Sequence, residues 1–408
     1  MSVVAIFSGS YCHGVEVASK TVEALGYRLV DDGALIAQAA ERFQLEAEKL
    51  HRAMTTKPSV FNKFTHEKER ALACLKATLA DALKEDDLVI HGFASHLIPR
   101  EIGHVLKTCL IGDVKYRLAQ LGKQEGVGEK EALKRLQRHD EACLLWVDHL
   151  FGAKDPWAAE LYDLLVPMGK VTVDEAVSLI RENVAKGVLQ RSAASQGAVD
   201  DFVLAAQVEL KLATEGHNVA VSATGGKVLI RINKHVLMLS SLEEELKRIA
   251  MTVPGVKSVE TKVGAGYYQT DIYRKYDFDL PKPSKVLLVD DEREFAQTLS
   301  ERLQMREYGS AVVYDGAEAL SLVAEDEPEV MVLDLKMPGV DGLEVLRRVK
   351  QEHPNVEVIV LTGHGSKEIE KECMELGACA YLEKPVDMDT LTQKMQEAYK
   401  RLKDRKEE

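Results

Sequence analysis

The sequence predicts a multidomain α/β protein, and three successive patterns predict it. Residues 1–190 alternate short apolar runs (VVAIF, DLVIHG, VLKTCLIG) with helical stretches at 34–52, 66–85 and 129–150, as in an α/β unit on a mostly parallel sheet. Residues 200–264 run helix, strand, strand, helix, strand, a small α+β unit. Residues 285–405 repeat strand and helix five times, a doubly wound (βα)5 unit.

In the first unit the opening strand, Val3 to Phe7, leads through Ser8-Gly9-Ser10-Tyr11-Cys12-His13-Gly14 into a helix. A strand, a glycine loop and a helix N-terminus make a cradle for phosphate. The spacing from Gly9 to Gly14 matches the two glycines of a phosphate-binding loop, but Val15 and Glu16 stand where that loop needs Lys and then Ser or Thr. Lys20 and Thr21 lie too far along the helix to substitute. Asp31, at the end of the next strand, is read either as a contact to a base or sugar or as a solvated strand-end residue. Arg135 and Arg138 are read as members of a charged helical face rather than as cations closing over a ligand. A polar stretch, Arg191 to Asp200, reads as a linker.

The middle unit carries an apolar helical stripe in DFVLAAQVELKLA, and its strands HNVAVSA and KVLIRIN flank the turn Thr224-Gly225-Gly226. Its second helix ends at Val253-Pro254-Gly255, and KSVETKV follows as a strand. Residues 265–284, rich in tyrosine, charge and proline, read as an extended linker. The strands of the last unit are KVLLVD, SAVVYD, VMVLDL, VEVIVLT and AYLEKP, apolar runs continuous enough to be covered on both faces by helices.

In such a sheet the functional crevice lies at the carboxyl ends of the strands. Strand one of the last unit ends in Asp290-Asp291, strand three in Asp334-Leu335-Lys336, strand four in Thr362 and strand five in Glu383-Lys384. Clustered carboxylates repel one another unless a cation sits among them, and oxygen ligands with room for water suit Mg2+. Asp291 is the expected direct metal ligand, with Asp290 beside it, Asp334 opposite and the backbone carbonyl of Lys336 completing the protein ligands. A nucleophile, a divalent ion and donors for phosphoryl oxygens are what transfer to a carboxylate requires. Asp334 is then the phosphoryl acceptor, Thr362 a donor to a phosphoryl oxygen and Lys384 its charge partner.

With these residues in order, 285–405 resembles the receiver domain of bacterial response regulators, of flavodoxin-like (βα)5 fold. The resemblance implies phosphorylation of Asp334 by a sensor histidine kinase, autophosphatase activity and a cis Lys384-Pro385 peptide. It also implies a switch in which Thr362 moves toward the phosphate and Tyr381 reorients. The middle unit, on the phrase Val253-Pro254-Gly255-Val256-Lys257-Ser258-Val259, resembles the BON domain, associated with phospholipid or envelope binding, although Ile232 stands where that family generally has glycine. Tyr27 to Asp32, Val89-Ile90-His91-Gly92, the span Glu129 to Gly152, Leu161 to Leu164 and Val173 to Ala176 together resemble the P-loop kinases of the cytidylate-kinase-like family. That family moves the γ-phosphoryl of ATP to a nucleoside monophosphate. Here Val15, Cys143 and Phe93 stand where it carries basic residues, so the unit is expected to be catalytically degenerate, with Gly9, Gly14 and Asp31 as its remaining nucleotide contacts and a nucleotide or other small ligand as its partner.

Composition narrows the rest. A hydrophobic fraction of 46%, a charged fraction of 29% and a net charge of -13 fit a globular chain of several cores with no general grip on nucleic acid. No DNA-reading element follows the last unit, so no DNA partner is expected. The six cysteines (Cys12, Cys74, Cys109, Cys143, Cys373 and Cys379) form no CxxC pair and read as buried, reduced thiols. The start MSVVAIFSGS lacks a signal peptide's leader, and no apolar run spans a bilayer, so the expectation is a cytoplasmic bacterial protein. A homodimer is left open. The expected whole is a response regulator whose receiver switches the contacts of a kinase-like and BON-like effector region. The alternatives are a nucleoside monophosphate kinase gated by the receiver, and a lipid or envelope adaptor.

Overall fold

In the computed structural model, strand β1 (Val3–Ser8) sends Val3 and Ala5 into one apolar cluster and Val4 and Ile6 into another. Successive side chains of a strand face opposite ways, so this parity is what a strand covered on both faces requires. The structure describes residues 2–85, 87–236, 238–264, 267, 282–363 and 366–407. They form two units, Met1–Lys57 with Lys68–Lys275, and Pro58–Glu67 with Tyr276–Glu408.

The first unit contains a parallel sheet of β1, β2 (Arg28–Asp31), β3 (Leu88–His91), β4 (Val105–Ile111) and β5 (Leu164–Pro167), in the order β2-β3-β1-β4-β5. Helices Gly14–Leu25 and Val173–Val184 cover one face through Val17 and Ile180. Helices Asp32–Phe43, Glu67–Ala82 and Glu129–Phe151 cover the other through Leu35, Leu75 and Trp146. The order of strands reverses at β1, so the loop after it lies at the crevice of the sheet. The helical stretch expected at 34–52 is two helices, Asp32–Phe43 and Ala47–Thr55, because Gln44 takes a left-handed conformation (φ 53°) and ends the first.

The expected linker Arg191–Asp200 is mostly helix. From Ala193 the chain is already in a helix that runs to Thr214, started by reciprocal Ser192–Ser195 capping. It forms because both of its sides find apolar partners. Val199 joins the cluster on the five-stranded sheet, while Leu204, Val208 and Leu212 pack with Val228, Ile230 and Leu246. The latter belong to a three-stranded sheet, β6 (Ala220–Thr224), β7 (Lys227–Ile232) and β8 (Ser258–Val263), and to helix Leu239–Ala250. The order helix, strand, strand, helix, strand is as expected, with β6 and β7 antiparallel and β7 and β8 parallel. The expected linker 265–284 lies outside the described residues, apart from Tyr267 and 282–284.

The second unit is a parallel sheet of β9 (Val286–Val289), β10 (Ser310–Val313), β11 (Val330–Leu333), β12 (Glu357–Thr362) and β13 (Ala380–Glu383), in the order β10-β9-β11-β12-β13. Helices Arg293–Met305 and Met388–Glu407 cover one face, and Gly316–Glu325, Gly342–Glu352 and Lys367–Glu375 the other. Residues 58–67 belong to this unit too, and Phe61 is buried in its core. No helix among the described residues is long and apolar enough to cross a membrane.

Candidate functional site

Register assembles the acidic pocket. β11 pairs with β9 so that Leu333 lies beside Val289, and the residues that follow, Asp334 and Asp290, emerge side by side at the carboxyl ends. Pairing of Thr362 with Glu383 brings Lys384 to the same rim. Carboxylate oxygens of Asp290, Asp291 and Asp334 lie within 4.8 Å of one another. Asp290 and Asp334 are 5% and 7% exposed, whereas Asp291 faces solvent.

Lys384 ties the pocket together, its Nζ lying 2.6 Å from Asp290 Oδ2 and 3.0 Å from Asp334 Oδ2, and 4.4 Å from the centre of the Phe295 ring. Burial pulls the ammonium down, but hydrogen bonds to Asp290 and Asp334 outweigh it and hold Lys384 above its ordinary value. Burial pushes the Asp290 carboxyl up in spite of that lysine. The other oxygen of Asp334, Oδ1, accepts from the Leu335 amide at 2.7 Å and the Lys336 amide at 3.4 Å. Thr362 ends β12 fully buried. Tyr381 is half-buried against the core of the sheet, and its buried hydroxyl has no partner among the described residues. The Lys384-Pro385 peptide is cis.

The loop after β1 runs from Gly9 into helix Gly14–Leu25. Tyr11 and His13 take left-handed backbone (φ 61° and 57°) and Gly14 packs tightly, since a Cβ there would lie 2.2 Å from Ser8 Oγ and 2.7 Å from His91 Nε2. Val15 is 71% exposed at the loop's rim. Arg117, which no local sequence pattern singles out, is buried and staples the loop: its Nε donates to the Ser10 carbonyl at 2.9 Å and its Nη2 to Ser10 Oγ at 2.7 Å. The same guanidinium makes a two-pronged pair with Asp140 at 2.7 and 2.9 Å. Burial opposes it, but His139 and Arg117 keep the Asp140 carboxyl below the usual range.

Most of the other residues named from the sequence have structural partners. Asp31 caps helix Asp32–Phe43, accepting from the Ala34 amide at 2.7 Å. Cys143 is buried with Phe7 and Cys109, and Phe93 packs edge-on against Phe7 and Trp146. Lys20 pairs with Asp174, and Arg135 with Glu125 and Glu131. Arg138 is exposed and Thr21 buried. Burial pushes the Cys12 thiol to about 11 and that of Cys109 to about 12. A second residue missed in the sequence is Asp32. Its carboxylate accepts from the Phe93 and Ala94 amides at 2.8 and 2.9 Å, and burial raises it to about 6. A cavity of about 460 Å3 opens beside Gly9, lined among others by Asp113, Arg117, Trp157 and Lys170.

Two families match the chain. The response regulator receiver domain matches residues 286–396, and the cytidylate kinase-like family matches residues 3–170. Sporulation initiation phosphotransferase F of Bacillus subtilis is 36% identical over 107 residues, 26% of this chain and 86% of its own length. Response regulator MprA of Mycobacterium avium is 34% identical over 119 residues, 29% of this chain, which spans about half (52%) of that relative. Among solved structures, the receiver domain of a Francisella response regulator is 33% identical, with 29% of this chain and 97% of that chain covered and a TM-score of 0.28.

Proposed function

The chain belongs, through residues 286–396, to the response regulator receiver family, and from that premise we propose that it is a cytoplasmic response regulator that accepts a phosphoryl group on Asp334 from a sensor histidine kinase. The observation that carries this is the Lys384 bridge between Asp290 and Asp334 at the ends of adjacent strands. A carboxylate oxygen of Asp334 attacks the donor phosphorus, the bond to the donor imidazole breaks, and an acyl phosphate forms while the released imidazole takes a proton from solvent. Lys384 pairs with the phosphoryl charge, and the Thr362 hydroxyl donates to a phosphoryl oxygen. Water later cleaves the acyl phosphate, returning the carboxylate and inorganic phosphate. Three carboxylates within 4.8 Å, one of them open to solvent, fit Mg2+, held by Asp290, Asp291, Asp334 and the carbonyl of Lys336. When bound, the ion neutralises charge on the transferring group.

For the effector region our reading is three-part: a degenerate cytidylate-kinase-like domain at 1–190, a BON-like domain at 200–264 and the receiver at 285–405. The loop after β1 has no basic residue at Val15, and Arg117 is engaged with Asp140 and Ser10. Cationic donors supply most of the catalysis in phosphoryl transfer, so such a unit binds nucleotides weakly or not at all and does not turn over ATP with CMP. The competing reading, a nucleotide kinase gated by the receiver, has the cavity beside Gly9 in its favour but needs Arg117 to leave Asp140. Incubation of the full chain with ATP, CMP and Mg2+ separates them: no CDP above background supports the first, and CDP production lost on Arg117→Ala supports the second.

The receiver reading is tested with acetyl phosphate and Mg2+. The full chain gains one acid-labile, hydroxylamine-sensitive phosphoryl group, Asp334→Asn abolishes it, and Asp291→Ala raises the Mg2+ concentration required. Undiminished labelling of Asp334→Asn overturns it.

A further inference from the structure

Residues 58–67 lie far outside the stretch that matches the receiver family, yet they pack as part of the second unit. The segment turns through Ser59 and a single helical turn, Asn62–Thr65. Phe61 is fully buried in the cluster that holds Leu287, Val313 and Val323. Phe64 lies so close to Gly309 that a Cβ there would sit 2.6 Å from Phe64 Cβ, so only glycine admits it. Ser59 Oγ donates to Asp326 Oδ2 at 2.5 Å. Lys285, itself buried, is enclosed between Glu67 at 2.6 Å and Asp326 at 2.9 Å. Two aromatic rings, a hydroxyl and a carboxylate are thus each matched by a counterpart: apolar core, glycine, aspartate and lysine.

We propose that residues 58–67 are a strap that docks on the receiver in cis, and that the corner formed by Lys285, Gly309 and Asp326 is the surface built to receive it. Lys285 and Gly309 precede β9 and β10, and Asp326 follows helix Gly316–Glu325. All three therefore lie at the amino ends of the strands, opposite Asp334, Thr362 and Lys384. The strap leaves the acidic pocket open and holds whether or not the acceptor is occupied, a clause that rests on Asp334 being that acceptor.

Hydrogen exchange on the full chain tests this. The amides of 61–67 are expected to be protected in the parent protein. In Phe61→Ala and in Gly309→Val, exchange is expected to accelerate at least about tenfold both there and in 310–325, the signature of one opening unit. Should either variant fail to fold, the milder Ser59→Ala with Glu67→Gln is read the same way. Adding beryllofluoride with Mg2+, a mimic of the phosphoryl group, leaves protection of 61–67 unchanged. Open-chain exchange at 61–67 in the parent, a change confined to one side of the contact in the variants, or a strap that loosens with beryllofluoride overturns the proposal. Failure of beryllofluoride to bind, read from unaltered exchange at 333–336, would instead indict the acceptor assignment.

Discussion

Replacing Asp32 with Asn should remove a pH-dependent cost that the parent protein carries in its first unit. The residue as a whole is partly accessible, but its carboxylate is enclosed, since a Cβ on Gly92 would lie 2.2 Å from Oδ2. Burial is the main cause that lifts the carboxyl from 3.8 to about 6, against two backbone amides that favour its ionised form. A carboxyl raised on folding binds a proton that the unfolded chain has already lost. The stability it supports is complete below the unfolded value and falls as pH rises through about 6. The interval amounts to about 3 kcal/mol on full ionisation. Asn carries no charge but keeps one acceptor oxygen for two amides, a loss of about 1 kcal/mol independent of pH. Urea denaturation of parent and variant, followed by tryptophan fluorescence, reads this unit alone because both tryptophans, Trp146 and Trp157, lie in it. Trp146 also donates to the Phe93 carbonyl beside the Asp32 contact. Relative to the parent, the variant is expected to gain about 2–3 kcal/mol between pH 4 and pH 7.5, most of it by pH 7. A parent-to-variant difference that stays flat across that range would mean that burial does not hold the Asp32 carboxyl up.

Arg117→Ala should cost about 3 kcal/mol in the same fluorescence assay, the lower end for a broken buried pair because Asp140 is a third exposed; a loss below about 1 kcal/mol would mean that the staple is a surface pair. Thr362→Ala should still take up a phosphoryl group yet lose the change that beryllofluoride produces in hydrogen exchange at 380–383. An unchanged response there would separate Tyr381 from the switch.

The second unit is legible in the sequence because its sheet is covered on both faces. Strands so placed are apolar runs, and two of them end where an acidic residue begins, Val289 before Asp290 and Leu333 before Asp334. Parallel register then converts strand ends into a site without further information. The helix Ala193–Thr214 is hidden for the opposite reason. Its first turns, Ala193 to Asp200, are small and polar, the composition of a linker, and their helicity is set by Ser192 capping and by Val199 meeting a core built mostly from residues 3–105. Asp32, Arg117 and the strap share that difficulty. Asp32 reads as the second of two strand-end acids, Arg117 as one cation on a charged helix, and Phe61 as an isolated aromatic. Each owes its role to partners distant in the chain, at Phe93, Asp140 and Val323. The missing Lys at Val15, by contrast, is a local signal and is visible at once.

On the proposed function, one carboxylate, that of Asp334, carries the phosphoryl group. Borohydride reduces an acyl phosphate to an alcohol, which turns the modified aspartate into homoserine and marks it permanently. Full-length protein treated with acetyl phosphate and Mg2+, reduced and mapped by peptide mass spectrometry, should carry homoserine at position 334 and at neither 290 nor 291, and none where Mg2+ is omitted. Homoserine at either neighbouring aspartate, or none at 334 in protein that has demonstrably taken up phosphate, would contradict it.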